Sequence, residues 1–358
     1  MSSEDRFVAV DDAWVGEWTG PAVLRICAGR VAVLRSGEDV DADAVAPVGG
    51  VVLPGFCDAH VHLGLVDAGS LVAGGIARVV DLGWDPAIAS GWARGTDASE
   101  KPGMPEVEFA GAFLTGVGGY PSGRSWAPDA AVRQLGDVAG ALAAVTEMHR
   151  AGARFVKLVL HADHGREISD EVARAVVDEA HRLGLIVVAH AEGQGQARRA
   201  ERLGVDRLAH TPWTERLDDD LIAALAARTT WVSTLDIHGW GAPTAASAVA
   251  LDNLARFIAA GGRVLYGTDL GNGPLPTALN VRELEALVSA GLTAPRLLDA
   301  LAPLPSRELA RSTGEDVIDV GARVSWAPTR APADVDELPA WLQTARVVAA
   351  DDLEEMHA

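Results

Sequence analysis

The chain of 358 residues is 49% hydrophobic and 22% charged, which suits a globular protein with one large core and a small accessory unit and excludes a disordered one. Its formal charge of −20 argues against nucleic acid and against anionic membranes as partners, since both are gripped by clustered Lys and Arg. A solvated acidic shell accounts for that charge.

The first eight residues carry Glu4, Asp5 and Arg6 without an apolar signal core, and no later run approaches the ~18 apolar residues of a membrane span. The two cysteines, Cys27 and Cys57, suggest buried small hydrophobes rather than a disulfide framework. A reducing, cytoplasmic setting is the expectation. Residues 1–50 then read as short strands at 7–10, 22–28 and 30–35, separated by acidic or glycine turns.

From residue 51 the pattern becomes an alternation of β-branched runs and Ala-rich helical stretches closed by glycine. The runs fall at 51–62, 76–82, 107–113, 154–161, 185–190, 207–210, 231–238 and 263–269. Eight strands with helical connections predict a (β/α)8 TIM barrel, although an open doubly wound sheet would read similarly. One helix shows the grammar. Ser169 is an N-cap, Asp170 and Glu171 complement the dipole, Val172, Val176, Ala180 and Leu183 form an apolar stripe, and Gly184 ends it. The tail offers strands at 317–326 and 346–349 flanking a Pro-rich stretch. The expected organisation is a small β-domain from residues 1–50 and 312–358 beside a catalytic barrel at 51–311.

Polar residues at the strand ends carry the chemistry. His60 and His62, two apart at the end of an apolar strand, direct both imidazoles to one side. A lone buried histidine is usually a hydrogen-bonded core residue, but His190, His210 and Asp269 end three further strands at the edge where barrels place catalytic groups. Such a set suits Zn2+, with Mn2+, Co2+ or Fe2+ also compatible. Lys157 lies in the apolar strand Phe155-Val156-Lys157-Leu158-Val159. It either turns outward to an ion pair or, as a neutral buried amine, captures CO2 to give a carbamate bridging two cations.

The segment Pro54-Gly55-Phe56-Cys57-Asp58-Ala59-His60-Val61-His62 resembles the first-strand signature of the amidohydrolase superfamily. With Lys157, His190 in Val188-Ala189-His190-Ala191-Glu192, His210 and Asp269, the chain is similar to the binuclear, carboxylated-lysine branch, and within it to prolidase-like and imidazolonepropionase-like amidohydrolases. The likeness covers about residues 45–310 and implies a small β-sandwich built from both termini. It implies that His60, His62 and Asp269 hold one divalent metal and His190 and His210 the other, bridged by carboxylated Lys157 and a hydroxide. Asp269 would then be the catalytic acid–base group in hydrolysis of an amide, a cyclic amide, an N-acyl compound or a dipeptide. An ester or lactone on the same centre is the nearest alternative.

Tyr120, Trp126, Trp213, His238, Trp240 and Asn272 are candidate substrate-binding residues, with Trp84, Arg124, His161 and His164 also within reach of the mouth. The plain alternative is that the tryptophans only pack loops; if they do line the mouth, they favour an apolar or planar small-molecule substrate. A mononuclear deaminase using Glu192 as proton shuttle is a rival that leaves Lys157 unexplained. A non-catalytic scaffold leaves the complete ligand set unexplained. Self-association into a homo-oligomer is compatible with the sequence.

Overall fold

Two parallel sheets organise the molecule, seen in a computed structural model that describes residues 5–27, 29–34, 40–95, 103–163, 165–303, 316–319 and 323–356. Cys57–Val61 (β1), Arg78–Asp81 (β2) and Glu106–Phe109 (β3) form the first sheet. Phe155–His161 (β4), Ile186–Glu192 (β5), Arg207–Leu208 (β6), Thr230–Val232 (β7) and Arg263–Leu265 (β8) run side by side in the second, which Phe113–Gly116 and Val132–Leu135 extend beyond β4. Main-chain bonds join the sheets at both margins. Ala59 N donates to Tyr266 O (3.0 Å), Asp269 N to His60 O (2.8 Å) and His62 N to Leu270 O (2.8 Å) at one; Arg154 N donates to Phe109 O (3.1 Å) at the other.

All seven residues of β4 are buried, as expected of a parallel strand covered on both faces. The covering helices follow the sequence pattern. Ser169 Oγ accepts from Val172 N at the head of helix Asp170–Arg182, and Val172, Val176 and Ala180 bury their stripe against the sheet. Each valine so buried contributes about 1.5–3 kcal/mol. Gly184, at φ 74°, occupies the left-handed conformation that lets the chain turn into β5.

The chain ends meet in two smaller sheets. Asp316–Asp319, Arg30–Val33, Ala22–Cys27, Arg6–Val10 and Val45–Pro47 form one; Arg346–Ala349, Arg323–Ala327, Val51–Pro54 and Asp12–Ala13 form the other. Val8, Leu24, Ile26, Val52, Val324 and Trp326 share one buried cluster between them.

Several boundaries differ from the sequence pattern. The run 51–62 is two strands: Val51–Pro54 pairs with Arg323–Ala327 in a small sheet, and only Cys57–Val61 belongs to the parallel set. Pro54 cannot donate to a ladder, so the chain breaks there. The run 107–113 breaks at Gly111, which adopts φ 77°. Strands six, seven and eight are shorter than 207–210, 231–238 and 263–269, and residues 236–238 curl into a 3-10 turn. In the tail, helix Leu338–Leu342 sends Leu338, Trp341 and Leu342 into the main core rather than into the small β-domain. Residues 1–4, 28, 35–39, 312–315, 320–322 and 357–358 of the predicted terminal segments lie outside the described residues.

Candidate metal centre

His60 and His62 share a face of β1 and its exit, and Asp269 approaches from the loop after β8. The His60 Nε2 and His62 Nε2 atoms lie 3.0 and 3.2 Å from the same Asp269 Oδ1. Backbone geometry aims this carboxylate. Asp269 sits at φ 58°, a conformation L-residues rarely adopt, and is held there by its bond to His60 O and by Asn272, whose Nδ2 donates to Oδ2 at 2.8 Å. Behind the site, Asp58 accepts from His60 N (3.0 Å), Thr268 N (3.0 Å) and Thr268 Oγ1 (2.6 Å), tying β1 to the loop that carries Asp269.

The outer nitrogens of these imidazoles are occupied. His60 Nδ1 lies 2.8 Å from Ala209 O, His62 Nδ1 3.3 Å from Gly83 O, and His210 Nδ1 3.0 Å from Thr234 Oγ1. For His60 and His62 the partner is a carbonyl, which can only accept, so Nδ1 donates to it and Nε2 is turned inward, the arrangement a metal-binding imidazole needs. Burial, aided by Lys157, holds His60 well below the usual imidazole range, and burial does the same to His210. Burial alone would raise Asp269, but His60, His62 and His210 together hold it well below the carboxylate range. Two imidazoles and a carboxylate are a donor set for a divalent cation, and His60, His62 and Asp269 are close enough together to hold one.

Lys157 projects from β4 into the same space, with Nζ 3.2 Å from His60 Nε2. Burial lowers its amine to about 8, against the attraction of Asp269 and Asp81. It does not turn outward to an ion pair: it is 2% exposed.

A second group forms at the ends of β4 and β5. His190 Nε2 lies 3.0 Å from Glu192 Oε2, and His161 Nδ1 lies 3.2 Å from His190 Nε2. His210, expected to pair with His190, stands edge-on to it with ring centroids 5.1 Å apart, and is 4.7 Å from His60. Tyr120 stacks on His161 at 4.6 Å.

A cavity of about 210 Å3 opens over these groups. Tyr120, Trp126, Trp213, His238 and Asn272 line it, as the sequence suggested. Trp240 does not. It is 46% exposed, and its indole lies over Gly273 and donates to Asn272 O. Trp84 packs over Gly64 instead of lining the cavity, Arg124 stands 5.8 Å above the Tyr120 ring, and His164 lies outside the described residues. Phe113, Val159 and Ile237 also line the cavity without having been anticipated. Strand parity was an unused signal. His161 is four residues beyond Lys157 and Glu192 two beyond His190, so each shares its partner's face.

No family model matches the sequence, and no curated protein does. Solved structures do. A Xaa-Pro dipeptidase with bound methionine superposes with TM-score 0.75 at 17% identity, covering 97% of this chain and 98% of that one. An ochratoxinase from A. niger gives 0.74 at 18% identity over 98% and 95%, and phenylurea hydrolase B gives 0.75 at 16% over 97% and 96%. At these identities the likeness establishes a shared α/β fold of parallel strands and helices. Among the described residues no helix is long and apolar enough to cross a membrane.

Proposed function

We propose that this chain is a divalent-metal-dependent hydrolase of carbon–nitrogen bonds, a prolidase-like member of the amidohydrolase superfamily. The observation that carries this is the convergence of His60 Nε2 and His62 Nε2 on Asp269 Oδ1, at 3.0 and 3.2 Å. The hydrolases that share the fold support it. The same reading takes the two parallel sheets, bonded at both margins, as one closed (β/α)8 barrel, and the two terminal sheets as a β-sandwich. It also sets the chain in a reducing cytoplasm.

His60, His62 and Asp269 would hold one cation, and Lys157, His190 and His210 would face a second, with Zn2+ the best match to the donors. Lys157 would serve as a carbamate: the neutral amine attacks CO2, an N–C bond forms, and a proton leaves. Bound there, the cations would supply Lewis acidity, making water a nucleophile near neutral pH and polarising the scissile carbonyl. The protein's own groups do the rest. Asp269 accepts the proton of the attacking water and passes it to the leaving nitrogen. His238 lines the cavity and its Nε2 is buried without a hydrogen-bond partner among the described residues, a donor that a small movement of the ring would bring to the substrate carbonyl. Burial pushes His238 down to about 4, so the ring stays neutral.

The walls select the substrate. Phe113, Tyr120, Trp126 and Trp213 offer aromatic surface, whereas Lys157 is the sole Lys or Arg among the described lining residues. Outside the centre, no Lys or Arg among the described lining residues is placed to pair with a free carboxylate. The preferred substrate is therefore an uncharged aryl amide rather than a dipeptide.

The test is hydrolysis of an uncharged anilide, its carboxylate-bearing analogue, and a lactone by protein loaded with Zn2+ or Mn2+. Activity should vanish on chelation and return with metal, and kcat/KM should favour the anilide over the carboxylate by about tenfold or more. Asp269→Asn should lower kcat by about 100- to 10,000-fold with the fold intact. Chelator-resistant turnover, or an Asp269→Asn variant of normal rate, would remove the proposal.

A further inference from the structure

The ligand set assigned above leaves out His161 and Glu192, yet both are directed at His190. His161 Nδ1 lies 3.2 Å from His190 Nε2 and 3.3 Å from Glu192 Oε2, and His190 Nε2 lies 3.0 Å from Glu192 Oε2. The three atoms make a nearly equilateral triangle. Strand pairing explains it: His161 and Glu192 are register partners across β4 and β5, and His190 sits two residues back on the same face. Tyr120 stacks on both imidazoles, at 4.6 and 5.5 Å, and walls off one side, while Glu192 faces the cavity.

Hydrogen bonding alone serves this triangle badly. When both imidazoles donate to the carboxylate, two N–H groups oppose each other across 3.2 Å. When one imidazole donates to the other, the accepting nitrogen has no proton for the carboxylate, and lone pair meets lone pair. A cation inside the triangle satisfies all three edges. Donor atoms ~2.1 Å from a tetrahedral Zn2+ stand ~3.4 Å apart, and two imidazoles with one carboxylate form a hydrolytic zinc donor set that leaves a position open.

We propose that His161, His190 and Glu192 together ligate a divalent cation on the Tyr120 side of the cavity. This adds His161 and Glu192 to the ligands of the second cation of the reading above, since the one lone pair of His190 Nε2 serves a single ion, and it rests on distances that involve neither His210 nor Lys157.

Chelator-stripped wild type, His161→Ala, Glu192→Gln and Asp269→Asn are titrated with Zn2+ by equilibrium dialysis and with Co2+ by visible absorption. His161→Ala and Glu192→Gln should each weaken one equivalent by about tenfold or more while keeping the equivalent that Asp269→Asn loses. Circular dichroism of the stripped proteins checks the fold, and the nearly isosteric Glu192→Gln carries the test if His161→Ala misfolds. Wild-type affinity for every equivalent in both variants would overturn the proposal and leave the His60–His62–Asp269 site standing. If Asp269→Asn instead kept every equivalent while the other two lost one, the proposal would hold and the first site would fall.

Discussion

Lys157 shows how one residue can make a buried strand reactive. Its neighbours Phe155, Val156, Leu158 and Val159 are all buried and the lysine itself is only 2% exposed, so its charge is costly. With the amine lowered to about 8, a larger fraction is neutral near pH 7.5 than in an exposed lysine. As a carbamate it would replace a cation facing His60 with an anion, which turns a repulsive position into a ligand. Lys157→Ala should therefore lose metal, by about 100-fold or more in affinity for at least one equivalent. Formate or acetate added at millimolar concentration should restore part of it by occupying the space of the missing carboxylate. Metal content by elemental analysis, with and without added acid, checks this; an alanine variant that retains all its metal in plain buffer would show that Lys157 bridges nothing.

At the scale of elements, the rim loops lack partner strands, and buried carboxylates satisfy their backbone donors instead. Asp81 accepts from Leu63 N (2.8 Å) and Gly83 N (3.2 Å), flanking the exit of β1. Glu283 accepts from Leu235 N (2.9 Å) and Asp236 N (2.8 Å), and so fixes the turn that presents His238. Burial raises Glu283 to about 7, above the 4.5 of an exposed glutamate. Between those values the folded protein binds more protons than the unfolded chain, so this group's contribution to stability is fully present below about 4.5 and declines as pH rises through 7. The decline amounts to about 3 kcal/mol. Glu283→Gln cannot titrate and accepts through one oxygen only, so it should be less stable than wild type at pH 5, by about 1–3 kcal/mol. The gap should narrow by pH 8. Urea unfolding at the two pH values reads it directly, and a gap that widens with pH would contradict the assignment.

At the scale of the whole molecule, the alternation of strands and helices in chain order was legible, and so was the approach of His60, His62, Lys157, His190, His210 and Asp269 to one cavity region, because each lies in or just beyond a strand run; the count of eight was not, since Phe113–Gly116 and Val132–Leu135 add two parallel strands. The grouping of His161 with Glu192 was not, since it depends on the register of β4 against β5, which no local pattern encodes. The division at Pro54 was obscured for a related reason: an apolar run looks the same whichever sheet receives it. The tail shows the largest effect of tertiary context. Trp341 is buried in the main core, lies edge-on to Trp18 at 6.4 Å, and donates through Nε1 to Thr329 O at 3.0 Å. Phe56 N donates to Ser325 Oγ at 3.2 Å, so the strand pair that closes a small sheet also anchors the approach to β1. Aromatic packing and a backbone-to-side-chain hydrogen bond thus tie the chain ends to the parallel sheets, and such coupling predicts that they unfold together. Trp341→Ala should cost about 3–5 kcal/mol through lost burial and the cavity left behind. Near-UV and far-UV circular dichroism should still report one coincident transition at a lower Tm. Two separated transitions, with only the terminal sheets melting early, would mean that the two cores are independent and that Trp341 merely covers a surface.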